Sequence, residues 1–261
     1  MTLPTPNAAF HWSREPWGTA LRSRHLDSIA QHLFTSRQLE FPSDQAWRDA
    51  VGSLGGSIDL LMRVKQVHGN VVRVIRRDQL TESANLAKPD ADAIVSNVPG
   101  ATLAVVVADC VPILIADAPS GAAGAVHAGW RGTCASVVTA AVDAMAREFG
   151  ANPATMVAAI GPSIGPGDYE VGESLIESFV SAGHRDHDVA RWFRRTEGKL
   201  RLDLWSANRD QLIAAGVVPE NIDVCGLSTL PYAEVFASYR RDAGQAGRMA
   251  ALIRVPSDAG H

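Results

Sequence analysis

Cysteine, long apolar runs and an excess of either charge are all scarce in this 261-residue chain. Each scarcity excludes a class of protein. Three cysteines, Cys110, Cys134 and Cys225, are too few, and odd in number, for a secreted disulfide scaffold. The most apolar stretch, Ala101 to Ala118, is broken by Asp109, Pro112 and Asp117, which a membrane span does not tolerate without special cause. The opening residues, MTLPTPNAAFHWSREPWG, lack the continuous apolar core of a signal peptide. With 24 Lys and Arg against 28 Asp and Glu, the net charge of -4 argues against a general nucleic-acid binder and leaves room only for a local basic pocket. No G-x-G-x-x-G or P-loop pattern occurs, so dinucleotide and nucleoside triphosphate sites are unsupported. The expectation is a cytoplasmic protein with small-molecule partners, no nucleic acid and no membrane.

What the chain does have is core. Hydrophobic residues make up 46% and charged residues 20%, enough to bury a sizeable interior and too apolar for disorder. No repeat or low-complexity linker divides it, so residues 1–261 are read as one domain. The first fifty or so residues are mixed and weakly periodic. Val-, Ile- and Leu-rich runs bounded by Gly, Pro, Asn and Asp then predict strands at Asp59 to Val67, Val71 to Ile75, Ala93 to Val95, Leu103 to Val107, Ile113 to Ala116 and Gly124 to His127. Val137, Val138, Ala141, Val142, Met145 and Phe149 recur at helical spacing, with Gly150 as the stop. Further helices are expected at Glu173 to Ala182 and Leu204 to Ala215, and strands at Met156 to Ile160, Ile222 to Cys225 and Ala250 to Val255. Many strands lie too close together for βαβ crossovers. That predicts a mixed α/β fold with largely antiparallel pairing.

Three segments put metal-binding side chains at strand ends: Gln66-Val67-His68-Gly69, Ala108-Asp109-Cys110-Val111-Pro112 and Val126-His127-Ala128-Gly129-Trp130-Arg131-Gly132. Two imidazoles and a thiolate, His68, His127 and Cys110, suit zinc with its fourth position open for water or substrate. The same residues also fit a small buried cysteine and two ordinary histidines. In the third segment a strand ends, glycines free the backbone and a helix begins near Thr133. Amides at a helix start attract anions, and Arg131 adds a charge-assisted fork for phosphate; a glycine-rich turn with Arg131 in a structural ion pair is the competing reading. Asp109, beside the cysteine, is either an acid/base group or a carboxylate pairing at a strand end.

QVHG, ADCVPILIAD, HAGWRG, IGPSIG followed by YEVG, LDLWSANRDQL and SYRRDAG followed by GRMAALI together resemble the YfiH-type family. It is also called the laccase-domain or polyphenol oxidase family and, more recently, a family of purine nucleoside phosphorylases. The resemblance runs from about Val64 to the C-terminus, leaving 1–57 as a divergent N-terminal part. It implies a four-layered α/β/β/α fold of mixed sheets, similar to the catalytic domain of the cytotoxic necrotizing factor toxins. It also implies zinc held by His68, Cys110 and His127, with copper as an alternative metal. The implied activities are phosphorolysis of adenosine, inosine, guanosine and methylthioadenosine, and deamination of adenosine. On that reading zinc and Arg131, with Arg37 as a second candidate, hold phosphate beside the sugar.

The chain departs from the family pattern in two places. The glycine-rich GGVS loop of relatives is replaced by Thr35-Ser36-Arg37-Gln38-Leu39-Glu40-Phe41, and cysteines of two family motifs by Gly167 or Asp168 and by Ser228. None of these is a proposed ligand. Three rivals stand beside the phosphorylase reading. A copper laccase needs a trinuclear cluster built from His-x-His pairs, and the eight histidines here form none. A Cys–His hydrolase acting in peptidoglycan-precursor editing would use Cys110 as nucleophile and His127 as base. A non-enzymatic metal or partner-binding protein is disfavoured because structural sites normally have four protein ligands. The HRDHD stretch at His184 to Asp188 reads as solvated surface, and Arg240, Arg241 and Asp242 as an ion-pair network bracing the C-terminal strand.

Overall fold

In a computed structural model describing residues 2–79 and 88–256, the apolar runs fold as two six-stranded sheets laid face to face. The first part of the chain supplies β1 (Phe10–Glu15), β2 (Gly18–Ser23), α1 (Arg24–Asp27), β3 (His32–Thr35) and α2 (Asp44–Gly52). Next come β4 (Leu61–Arg63), β5 (Val72–Ile75), β6 (Ala93–Ser96), β7 (Thr102–Val107), β8 (Val111–Asp117) and β9 (Ala122–Ala128). Then follow α3 (Trp130–Cys134), α4 (Val137–Phe149), β10 (Val157–Ile160), α5 (Ser174–Ser181) and α6 (Asp186–Trp192). The last part holds β11 (Phe193–Thr196), β12 (Lys199–Leu202), α7 (Leu204–Ala214), β13 (Ile222–Val224), α8 (Tyr239–Asp242) and β14 (Met249–Arg254).

One sheet runs β1-β2-β3-β14-β7-β4 and the other β13-β10-β8-β9-β6-β5. Within them pairing is antiparallel except at three edge strands, β4 on β7, β13 on β10 and β5 on β6. The layers follow from strand periodicity. Successive side chains point to opposite faces, so Leu103, Val105 and Val107 enter the core between the sheets while Ala104 and Val106 face α2. On β8, Leu114 and Ala116 point to the other sheet and Ile113 and Ile115 to α4 and α7. Both faces are covered, so the central strands are apolar throughout rather than alternating, and each fully buried aliphatic side chain contributes about 1.5–3 kcal/mol. The result is the expected mixed α/β arrangement of four layers: α2, sheet, sheet, and α4 with α7.

The expected elements recur with shifted ends, and four expectations need correction. The strand expected over Asp59 to Val67 is confined to Leu61–Arg63, preceded by a tight 3-10 turn whose Asp59 N–H bonds the Ser57 hydroxyl. The weakly periodic N-terminal residues form β1 to β3, completing a sheet with β14 from the far end of the chain. The helix expected to start near Thr133 is two helices: α3 begins at Trp130, and left-handed Ser136 (φ 58°) separates it from α4. HRDHD is only partly solvated, since Asp188 is buried between Arg185 and Arg191 and the His184 ring bonds the Cys134 carbonyl.

His32 locks the N-terminal strands. Its fully buried ring accepts the Ser23 N–H at Nε2 (2.8 Å) and donates from Nδ1 to the Ala30 carbonyl (3.0 Å), a pattern only the neutral ring satisfies. Burial outweighs the Ala30 and Asp27 contributions and pushes its pKa down to about 4. This neutral ring therefore keeps its full contribution above the ordinary histidine pKa and loses it as pH falls from about 6.5 towards 4, by about 3 kcal/mol in all. Urea unfolding at pH 7.5 and pH 4.5 measures that loss. His32→Gln, which carries no titrating ring, is expected to flatten the dependence; an equally steep variant would assign it to other groups.

Candidate metal centre

A hairpin brings two of the expected donors together. β8 and β9 pair in the register Val111 with Ala128 and Asp117 with Ala122, closed by a turn in which the Asp117 carboxylate accepts from Ser120. Cys110, one residue before β8, and His127, at the end of β9, therefore arrive at the same edge of the sheet. His68 comes from the turn between β4 and β5. The ligand atoms of His68, Cys110 and His127 lie within 4.8 Å of one another, and the two imidazoles meet edge-on with centroids 4.8 Å apart. Among the described residues this is the one group of three or more His, Cys, Asp or Glu side chains so placed.

The turn carrying His68 is organised by Asp92, which sequence reasoning did not single out. Its fully buried carboxylate accepts the amides of Val67 (3.3 Å), His68 (2.9 Å) and Gly69 (2.6 Å) and the His127 Nδ1–H (2.9 Å). Three consecutive amides turned on one oxygen pair hold His68 in the left-handed region (φ 64°), uncommon for a residue with a side chain. The contact with Nδ1 leaves His127 Nε2 facing the cluster, the usual carboxylate support of a ligating histidine. Gly129 makes the close approach sterically feasible: a Cβ there would lie 2.8 Å from the Cys110 sulfur and 3.2 Å from the His68 ring. The only signal for Asp92 in the sequence was an acid placed directly before a buried strand.

The donors are electronically ready. Burial opposes charge on Cys110, but hydrogen bonds and charge from His127 and His68 outweigh it and bring the thiol down to about 6. Burial also opposes charge on His127, yet Asp92 and Cys110 raise it to about 9. Asp92 stays below the usual carboxylate range, since His127 and the Gly69 and His68 amides outweigh its burial. Without metal the centre is thus a thiolate–imidazolium pair on a carboxylate. A thiolate with two imidazoles is the donor chemistry of zinc or copper, with an open position beside it.

The cluster opens into a cavity of about 700 Å³. Val64, Val106, Ile164 and Leu204 contribute apolar lining, and Arg131, Arg240 and Arg248 line it with positive charge. Among the described residues none of these arginines forms a salt bridge with a carboxylate. The Arg131 guanidinium lies 4.4 Å over the Trp130 ring, and its helix α3 is pinned to α7 by bonds from Asn208 and Gln211 to Thr133. Tyr169 also lines the cavity, its phenol pushed up to about 12 chiefly by burial and then by the Cys110 thiolate.

Other expected site residues are placed differently. Arg37 is not a lining residue; its guanidinium donates to the Ala233 carbonyl and its amide to the Val235 carbonyl. Asp109 reaches the cavity but accepts three hydrogen bonds, from Thr229 (2.6 Å), Ser238 (3.0 Å) and the Arg240 amide (2.6 Å). The bracing role expected of the Arg240–Asp242 stretch belongs to Arg241 alone, which pairs with Asp242 and donates to the Thr229, Leu230 and Phe236 carbonyls. Ser228, where relatives were expected to carry a cysteine, donates to Asp168 at 2.6 Å.

The stacked mixed sheets are those of solved YfiH- and YlmD-type proteins. The chain belongs to that family: residues 44–256 match the family model described as multi-copper polyphenol oxidoreductase laccase. It is 40% identical over 204 residues to a purine nucleoside phosphorylase of Deinococcus radiodurans, covering 78% of this chain and 74% of that protein. Purine nucleoside phosphorylase YfiH of Escherichia coli K12 is 33% identical over 229 residues, 88% of this chain and 80% of its own. A protein of an unknown prokaryotic organism named adenosine deaminase RL5 is 37% identical over 174 residues, 65% of each chain. The crystal structure of YlmD from Geobacillus stearothermophilus superposes with a TM-score of 0.79 at 29% identity, covering 94% of this chain and 98% of that one.

Asp92→Asn places an amide hydrogen where one of its four donors now points. Metal affinity, read by chelator competition, is expected to fall by about 10–100-fold, the usual effect of losing a supporting carboxylate. Unchanged affinity would mean that the His68 turn holds its shape without that charge.

Proposed function

We propose that the chain is a zinc-dependent purine nucleoside phosphorylase, with adenosine, inosine, guanosine and methylthioadenosine as its substrates. Adenosine deamination is its second activity. The observation that carries this reading is the His68–Cys110–His127 cluster opening into a cavity lined by both apolar side chains and arginines. Its volume of about 700 Å³ suits a nucleoside with an anion beside it. Relatives named purine nucleoside phosphorylase and adenosine deaminase support the same reaction classes.

In phosphorolysis a phosphate oxygen bonds to C1′ of the ribose, the C–N bond breaks, and the electron pair leaves on the purine, which takes up a proton. Held by His68, Cys110 and His127, a zinc ion would supply fixed positive charge to the reaction. Arg131, with its planar face on Trp130, keeps its N–H edges free to fork onto phosphate. Val106, Ile164 and Leu204 shield the base from water. Tyr169 lines the cavity and stays protonated at neutral pH, so its hydroxyl keeps a hydrogen to donate. Asp92 and Gly129 keep His127, His68 and Cys110 at one spacing throughout.

The geometry also supports a second reading. Cys110, His127 and Asp92 form a nucleophile–base–orienter series of the kind used by Cys–His hydrolases, with the thiol already lowered to about 6. Peptidoglycan-precursor editing would then be the reaction. His68, a second imidazole on the same sulfur, favours metal binding over nucleophilic attack.

Metal analysis and chromatography of adenosine incubated with and without phosphate separate these readings. About one zinc per chain is expected, with adenine released only when phosphate is present and inosine formed without it. Cys110→Ala is expected to lose zinc and both activities together. Arg131→Ala is expected to raise the KM for phosphate by about tenfold, the worth of a charged hydrogen bond, and the KM for nucleoside little. A metal-free protein that leaves adenosine untouched, and whose Cys110 is alkylated stoichiometrically even with zinc present, would establish the hydrolase instead.

A further inference from the structure

Arg240 is exposed at the cavity and has no carboxylate partner among the described residues. Glu170 gives its carboxylate to Lys199 at 2.7 Å; towards Arg240 it offers its backbone carbonyl, at 3.1 Å, and the longer-range field of its charge. The Arg240 guanidinium lies 5.1 Å over the Tyr169 ring, as that of Arg131 lies over Trp130. Two arginines in one cavity are thus each backed by an aromatic face, with N–H edges left over. An ion-pair brace has its donors consumed by a carboxylate, as those of the neighbouring Arg241 are by Asp242. These are not.

What places Arg240 there is unusual. Its backbone amide donates to Asp109 Oδ2 at 2.6 Å, and Asp109 is the residue before the donor Cys110. The same carboxylate accepts the Thr229 and Ser238 hydroxyls, and the Asp109 carbonyl accepts the Ile164 amide at 2.9 Å. Asp109 is held left-handed, φ 79°, while doing so. The side chain therefore ties the strand end that carries Cys110 to the Thr229 loop and to the start of α8, where one tie ends on the Arg240 amide, and the Asp109 backbone adds the Ile164 loop. With every contact of its carboxylate directed at these donors, Asp109 is built for position rather than for proton transfer.

Resting on the reading that the cavity takes phosphate, we infer that Arg240 is a second arm of the anion site, acting with Arg131, and that Asp109 is its positioning residue. The role considered for Arg37 passes to Arg240, since Arg37 is turned to the Ala233 carbonyl.

Calorimetry with inorganic phosphate on the metal-loaded full chain tests this, with inosine titrated separately. Arg240→Ala is expected to weaken phosphate by about tenfold or more, the loss of charge-assisted hydrogen bonds, and inosine by less than about twofold. Arg240→Lys, which keeps charge without the fork, is expected to fall between. Asp109→Asn is expected to raise the KM for phosphate with zinc content and the pH profile of kcat unmoved. Should that variant not fold, Arg240→Ala decides alone, because its side chain is exposed. Phosphate affinity unchanged in Arg240→Ala overturns the proposal. So does an Asp109→Asn enzyme that binds phosphate normally and loses one limb of its pH profile, which is the signature of an acid/base group. If the unmodified enzyme binds phosphate through Arg240 yet releases no base, the anion arm stands and the phosphorylase reading falls.

Discussion

Asp92 carries a charge without access to solvent, and four donors from two separate parts of the chain converge on it. A buried carboxylate is tolerated only when so satisfied. Here the satisfaction has a second effect: the groups that neutralise it are the turn bearing His68 and the ring of His127. Removing the whole carboxylate would leave three amides and a buried imidazole N–H without this acceptor. The protein therefore cannot bury Asp92 without also assembling two of the three donors, and the third, Cys110, is delivered by the hairpin that carries His127.

The centre and the cavity wall have complementary electrostatics. The thiolate and Asp92 concentrate negative charge where cationic ligands and a metal would sit, while Arg131, Arg240 and Arg248 leave positive charge uncompensated on the wall. Separating the signs across a small cavity favours a ligand that is itself split into an apolar part and an anion. A chain of net charge -4 can still line one cavity with basic residues, because they are local, not numerous.

Much of the fold was legible because the central strands are covered on both faces. β7, β8 and β9 read as apolar runs, and α4 showed its buried stripe and its Gly150 stop. β1 to β3 were not legible, since Arg14, Glu15, Arg22 and His32 interrupt any pattern and the strands are held by partners far along the chain, β14 above all. The residues alone left the three donors open between a zinc site and an ordinary cysteine with two histidines, and the resemblance decided between them, because spacing of 42 and 17 residues, as between His68, Cys110 and His127, says nothing about convergence. Asp92 was hidden in a short acidic stretch, PDADA, with Asp90 as an exposed neighbour that pairs with Lys65. Arg240 and Arg241 were read together as braces; adjacent residues on a one-turn helix point apart, and of the two only Arg241 pairs with a carboxylate.

The β8–β9 hairpin has one further implication. Its ladder runs from Val111–Ala128 at the cluster to Asp117–Ala122 at the far end, and only the Ala118 to Gly121 turn lies outside it. Adding one residue inside either strand would flip every side chain beyond it, carrying Cys110 or His127 to the opposite face. Adding residues in the turn changes no rung. The hairpin thus behaves as a ruler with one free end: evolution or an engineer can graft length, even a peptide insert, at Ala118 to Gly121 while the spacing of the donors at the other end stays the same.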